Sequence, residues 1–239
     1  VNDAIKEVVD SEKSVVLHGY MNNSGYEDVR TAIADSLNKR FGTAFNMSNI
    51  IMTVGAAGGI NVLFKSILNP GEEVIIPQPS YVSYEPCCVL ANGTPVIVEL
   101  KAENEFRLTA KELEEAITDK TKVLILPYPN NPTGAIMEKS DLEAIAEIII
   151  KHDLFVMSDE IYAELSYKGE HVSIASLPGM QERTILINGF SKAYAMTGWR
   201  LGYACGPRVI LEQMTKIHQF AIMCAPTTSQ YAAIDALRN

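Results

Sequence analysis

The chain has 239 residues, 47% hydrophobic and 21% charged, with a formal net charge of −9. That length suits one large domain or two small ones, and the acidic balance disfavours nucleic acid or an anionic membrane surface as a partner. No apolar run reaches the roughly 18 residues of a membrane span and no signal-peptide pattern is visible, so a cytoplasmic protein is expected. Cys87, Cys88, Cys205 and Cys224 show no metal-ligand spacing and read as small buried hydrophobes in a reducing compartment.

Taken in chain order, Val29, Ala32, Ile33, Leu37 and Phe41 form the apolar stripe of a first helix. A strand is predicted at 50–54, followed by the small-residue turn Gly55-Ala56-Ala57-Gly58-Gly59 and a helix over 60–68. After the turn Asn69-Pro70-Gly71 comes a strand at 73–77, and then a helix carrying Cys87 and Cys88. Ala91-Asn92-Gly93 turns into a strand at 95–100, with further strands at 122–127, 154–159 and 184–188. Leu142, Ile145, Ala146 and Ile149 mark a helix between the strands at 122–127 and 154–159. Val123-Leu124-Ile125-Leu126 is continuously apolar, as a sheet covered on both faces requires. The alternation predicts an α/β fold, a three-layer αβα sandwich around a mainly parallel sheet of six or seven strands. Ligands of such sheets sit beyond the C-terminal ends of the strands, where each motif below falls.

Lys192, in Asn188-Gly189-Phe190-Ser191-Lys192, is followed eight residues later by Arg200. A lysine amine attacks carbonyls when an apolar pocket or a neighbouring cation lowers its proton affinity. Arg200 offers a permanent, forked charge that suits a phosphate held beside that amine. Taken alone, a surface lysine on an amphipathic turn is the commoner reading. The turn at Ala56 and Ala57 would expose backbone N–H groups to an anion, though taken alone a plain tight turn is the commoner reading. It lacks both nucleotide-binding glycine fingerprints.

Tyr81, after the strand at 73–77, is placed to stack on a flat heteroaromatic ring or to join the core. Asn131 lies in Tyr128-Pro129-Asn130-Asn131-Pro132-Thr133-Gly134. Its flanking prolines rigidify a loop that could aim the amide at a phenolate oxygen; a turn-forming asparagine is the alternative. Asp159 ends a buried strand, where a carboxylate needs a cationic partner such as a protonated pyridine nitrogen. Tyr162, three residues on, could donate to the same ring's phenolate. A helix N-cap is the competing role for Asp159.

Tyr-Pro-Asn-Asn-Pro-Thr-Gly, Ser-Asp-Glu-Ile-Tyr and Asn-Gly-Phe-Ser-Lys-Ala-Tyr-Ala-Met-Thr-Gly-Trp-Arg-Leu-Gly-Tyr stand in the order and approximate spacing of the class I/II aminotransferases. From about Tyr20 onward the chain resembles this family of fold type I pyridoxal-phosphate enzymes. The resemblance implies that Lys192 holds pyridoxal 5′-phosphate as a Schiff base and later moves the proton between substrate Cα and the cofactor. It implies that Asp159 keeps the pyridine nitrogen protonated, making the ring an electron sink. Asn131 and Tyr162 would hold the ring hydroxyl and Tyr81 stack on the ring. The Ala56 and Ala57 amides, Ser191 and Arg200 would bind the phosphate. Tyr20 matches the position from which a partner subunit reaches that phosphate across a homodimer interface.

Three departures stand out. Gly189 occupies a place where many relatives carry a phosphate-binding serine, which Ser191 would replace. Ala56 and Ala57 offer only backbone amides. The family's N-terminal segment and its small domain, with the arginine that clamps the substrate carboxylate, are expected to lie outside 1–239, leaving the cofactor-binding large domain, inactive alone. The implied activity is ping-pong transfer of an amino group between an amino acid and a 2-oxo acid. A carbon–sulfur β-lyase is the alternative, disfavoured by Tyr162, where such enzymes often carry histidine. A cofactor-binding module of a DNA-binding regulator is disfavoured by the charge of −9 and the lack of a helix-turn-helix pattern.

Overall fold

The computed structural model describes residues 1–11, 17–167 and 169–238. Helices α1 (Asn2–Asp10) and α2 (Glu27–Phe41) precede strand β1 (Ile50–Val54) and helix α3 (Gly55–Ile67). Next come β2 (Glu73–Gln78), α4 (Tyr84–Leu90), β3 (Thr94–Glu99), α5 (Ala110–Ala116), β4 (Thr121–Leu126), α6 (Lys139–Lys151) and β5 (Phe155–Asp159). Strands β6 (Thr184–Gly189) and β7 (Leu201–Cys205) and helices α7 (Arg208–Ile222) and α8 (Thr227–Arg238) follow. Local signals set the helix ends. Gly42 closes α2 with φ 69°, donating its N–H to Asn38, while Thr109 and Glu112 form a reciprocal capping box on α5.

The seven strands form one sheet in the order β1-β7-β6-β5-β4-β2-β3. Strands β3, β2, β4, β5 and β6 are mutually parallel, and β7 runs antiparallel to both β6 and β1. The six strands read from the sequence are present, with ends shifted by a residue or so. The seventh, β7, is Leu-Gly-Tyr-Ala-Cys, whose small residues weaken a strand pattern even though all five are buried.

Alternation of side chains distributes the strands' apolar residues to two faces. On one face Ile51, Ile76, Val123, Ile125, Met157, Ile185, Ile187 and Ala204 pack with α3, α4 and α7. On the other, Met52, Leu186, Tyr203 and Cys205 pack beneath α2 and α8. Ile75, Leu124, Leu126 and Val156 pack beside α6 residues Leu142, Ile145 and Ile149 on that same side. This is the three-layer αβα sandwich. Each fully buried Ile or Leu contributes about 1.5–3 kcal/mol, so the core determines which strand face meets which helix layer.

The topology decides where the loops converge. The C-terminal ends of β2, β4, β5 and β6 lie at one edge of the sheet, and so does that of β1, because two antiparallel pairings restore its direction. For β7 the edge is its N-terminal end, so Arg200, immediately before Leu201, reaches the same edge as Lys192.

Candidate active site

At this edge opens a cavity of about 270 Å³. Ala56, Ala57, Tyr81, Asn131, Asp159, Tyr162, Ser191, Lys192 and Arg200 all line it. Residues that are distant in sequence and drawn from the ends of six strands are therefore brought together. Tyr20 is not among them; its side chain is 94% exposed, away from the cavity of its own chain.

The floor of the cavity is Asp159, the last residue of β5, only 5% exposed. Its Oδ2 accepts a hydrogen bond from the Tyr84 hydroxyl at 2.8 Å, and its Oδ1 accepts from the Ile161 N–H at 3.2 Å. Burial pushes the carboxyl group up to about 6, with neighbouring Glu160 adding to the rise and the two donors opposing it. No α-helix follows, only a short 3₁₀ turn at Ala163–Leu165, so Asp159 caps no α-helix. Its described partners are neutral, and a buried carboxylate without a cation is what a ring N–H⁺ would satisfy.

Tyr84 was not anticipated from the sequence. It follows Tyr81 by three residues at the start of α4, a spacing that brings both rings to one side, 5.6 Å apart and nearly perpendicular. Burial and the adjacent Asp159 hold its hydroxyl firmly protonated, so it acts as a donor. Ile60, Pro127, Pro129, Ile161 and Thr197 add further walls that motif reading did not supply.

At the other end of the cavity two positive features meet. Helix α3 begins at Gly55, so Ala56 and Ala57 belong to its first turn, not to a turn before it as expected, and their N–H groups lack intrahelical acceptors. Gly55 has φ 68°, and a Cβ there would stand 2.6 Å from Arg200 Nη2. The guanidinium therefore lies against the positive end of the helix dipole. Arg200 donates from Nη1 to the Thr197 carbonyl at 2.8 Å, and no carboxylate pairs with it among the described residues. Two converging positive features without an anion make a phosphate cradle.

Gly189 leaves no room for the serine that the family resemblance led us to expect at this place. A Cβ on it would lie 2.9 Å from Gly202 Cα and 2.9 Å from the Leu201 carbonyl oxygen. The strands β6 and β7 are packed too closely here for a side chain, and the hydroxyl at this end of the cavity comes from Ser191.

Lys192 stands between the two ends, with Nζ 5.6 Å from the centre of the Tyr162 ring. The two adjacent asparagines have separate roles. Asn130 is buried, donating to the Pro79 carbonyl and accepting from the Thr133 amide and hydroxyl, whereas Asn131 is the one on the cavity. The four cysteines are free, no His, Cys, Asp and Glu cluster among the described residues could hold a metal ion, and none of their helices is long and apolar enough to cross a membrane.

A donor set of amine, buried carboxylate, phenols, amide and phosphate cradle in one cavity fits a phosphorylated pyridine aldehyde. Comparison with known proteins agrees. The family model for class I and II aminotransferases matches residues 1–239. An aspartate aminotransferase of Pyrococcus abyssi is 46% identical over 98% of the chain and 61% of its own length. Aromatic-amino-acid aminotransferase 2 of Thermococcus litoralis is 45% identical over the same shares. The crystal structure of an aromatic aminotransferase from Pyrococcus horikoshii superposes with a TM-score of 0.95 at 44% identity, over all of this chain and 63% of that one. The chain thus spans about three-fifths of the length of these relatives. By motif, cavity and fold together, the chain belongs to the class I and II aminotransferase family.

Proposed function

We propose that the whole protein is a pyridoxal 5′-phosphate-dependent aminotransferase that moves an amino group between an amino acid and a 2-oxo acid, and that this chain is its cofactor-binding large domain. One observation carries the reading: a single cavity joins the Lys192 amine to a buried carboxylate at one end and, at the other, a guanidinium over a helix N-terminus that pairs with no carboxylate among the described residues. The relatives named above are all aminotransferases, which supports transfer over the β-lyase alternative.

Bound pyridoxal 5′-phosphate supplies an aldehyde that condenses with amines and a protonated ring that withdraws electrons from the carbon losing a proton. Lys192 Nζ would hold the aldehyde carbon and, once free, would carry the proton from the substrate carbon to that aldehyde carbon. Asp159 holds the proton on the ring nitrogen by charge. Asn131 and Tyr162 donate to the ring hydroxyl, and Tyr81 covers one ring face. Arg200, the Ser191 hydroxyl and the Ala56 and Ala57 amides hold the phosphate. The protein is further proposed to be a cytoplasmic homodimer. In it the exposed Tyr20 would reach the phosphate in the partner's cavity.

Borohydride treatment of the full-length protein with cofactor, followed by peptide mapping, tests the assignment. The label is expected on Lys192, and Lys192→Ala should abolish both labelling and transamination. Label on a different lysine, or transamination by the variant, overturns it.

A further inference from the structure

Asp159 has a buried acidic neighbour that does not line the cavity. Glu160 is 1% exposed, and its carboxylate is fully engaged. Oε1 accepts from the Ser158 hydroxyl at 2.9 Å and the Ser173 hydroxyl at 2.7 Å, and Oε2 lies 2.8 Å from His171 Nε2. Ser158, within β5, and Glu160, just past its end, bond to each other, and neither lines the cavity that Asp159 faces. Ser158 and Ser173 are themselves buried.

The network is anchored from α2. The His171 ring meets Phe41 edge-on at 5.3 Å, the Arg40 guanidinium carbon lies 4.8 Å from the Phe41 ring centre, and Arg40 forms an ion pair with Glu164. Both Arg40 and Phe41 belong to the last turn of α2. That corner thus grips the segment after Asp159 at His171 and at Glu164, two residues beyond Tyr162. The backbone is tied as well: the Glu160 N–H donates to the Ile187 carbonyl and the Glu160 carbonyl accepts from the Ala163 N–H.

A buried charged network of this kind is a weak source of stability, since well-packed apolar residues of similar volume usually serve as well or better. Its value lies in specifying one arrangement of the chain. We propose that Glu160 and His171 are positioning residues for the cofactor site: they lock the strand end so that Asp159 and Tyr162 present their polar atoms to the ring. The proposal rests on the reading of Asp159 as partner of the ring nitrogen. Any slack at Glu160 would shift the Asp159 carboxylate, the Ile161 N–H that holds it and the Tyr162 hydroxyl together.

The test uses the full-length apoprotein titrated with pyridoxal 5′-phosphate, following the dissociation constant and the absorbance maximum of the bound cofactor. Glu160→Ala and His171→Leu should each raise the dissociation constant about ten-fold, the scale on which outer partners of ligating side chains act, and displace the maximum. Glu160→Gln, whose amide oxygen still accepts from both serines, should recover part of the loss. Ile149→Ala, a distant core change on α6 that lowers the melting temperature, should stay within about two-fold of wild type. If Glu160→Ala and His171→Leu bind no worse than Ile149→Ala, the proposal is overturned. Should Glu160→Ala not fold, His171→Leu alone decides, because it leaves Glu160 with both serines. Asp159→Asn separates the two readings. If it weakens binding while the Glu160 and His171 variants do not, only the positioning role fails; if it binds like wild type, the reading of Asp159 fails and takes the positioning role with it.

Discussion

The Tyr84 hydroxyl lies 2.8 Å from Asp159 Oδ2 and donates to it inside a site where both residues are almost wholly buried. The bond joins the start of α4 to the end of β5, 75 residues apart, and it favours the ionised carboxylate that burial disfavours. Tyr84→Phe removes this donor and little volume. A hydrogen bond to a charged group contributes about 1.5–3 kcal/mol, so cofactor affinity should fall by about one to two powers of ten. Equilibrium titration of the full-length apoprotein measures this; wild-type affinity in the variant would show that the bond is idle.

Asp159 makes the cofactor-free protein pH-sensitive in a defined direction. Its folded value, about 6, lies above the ordinary 3.8, so between these values the folded state binds more protons than the unfolded one. The stabilising contribution is complete below about pH 4 and is lost as the pH rises through 6, amounting to about 3 kcal/mol. The stability difference between wild type and Asp159→Asn, followed by denaturant unfolding from pH 4 to 7, should shift against wild type across that window. A difference independent of pH would contradict the burial effect. Asp159→Asn should also lose most of the transamination rate in the full-length protein, because an amide cannot hold the ring proton by charge.

Gly189→Ser, which would place a hydroxyl three residues before Lys192, should not strengthen phosphate binding. Its Cβ would press on Gly202 Cα and the Leu201 carbonyl oxygen, both backbone atoms that cannot swing aside. Overpacking of this kind costs about 1–3 kcal/mol. Denaturant unfolding provides the check, and unchanged stability with tighter cofactor binding would refute the steric account.

Mixed full-length subunits test the reach of Tyr20. In a heterodimer of Lys192→Ala and Tyr20→Phe subunits, both defects fall in one site and the other site is intact if Tyr20 acts across the interface. Activity should then exceed that of either mutant homodimer. Heterodimers that form but recover no activity would place Tyr20 outside the partner's site.

Much of the site was readable in one dimension because its chemistry sits in short contiguous motifs at strand ends. Lys192 with Arg200, Asp159 with Tyr162, and Asn131 in its proline-flanked loop were recognisable by residue type and spacing, and the apolar runs revealed six of the seven strands. The layered fold followed from the same pattern, since continuous apolar strands between amphipathic helices can be buried in few ways. What the linear chain did not determine depended on distances across the sheet. β7 was obscured by its small residues, yet its antiparallel insertion beside β6 is what carries Arg200 to the helix end at Gly55. The glycine at 189 became intelligible only beside Gly202, and the division between Asn130 as brace and Asn131 as cavity residue only once the Pro79 carbonyl was in place. The contacts of Asp159 with Tyr84 in front, and of Glu160 with His171 behind, join side chains from separate elements. Such pairings arise from packing, which local propensity and periodicity do not encode, and so only the tertiary structure decided them.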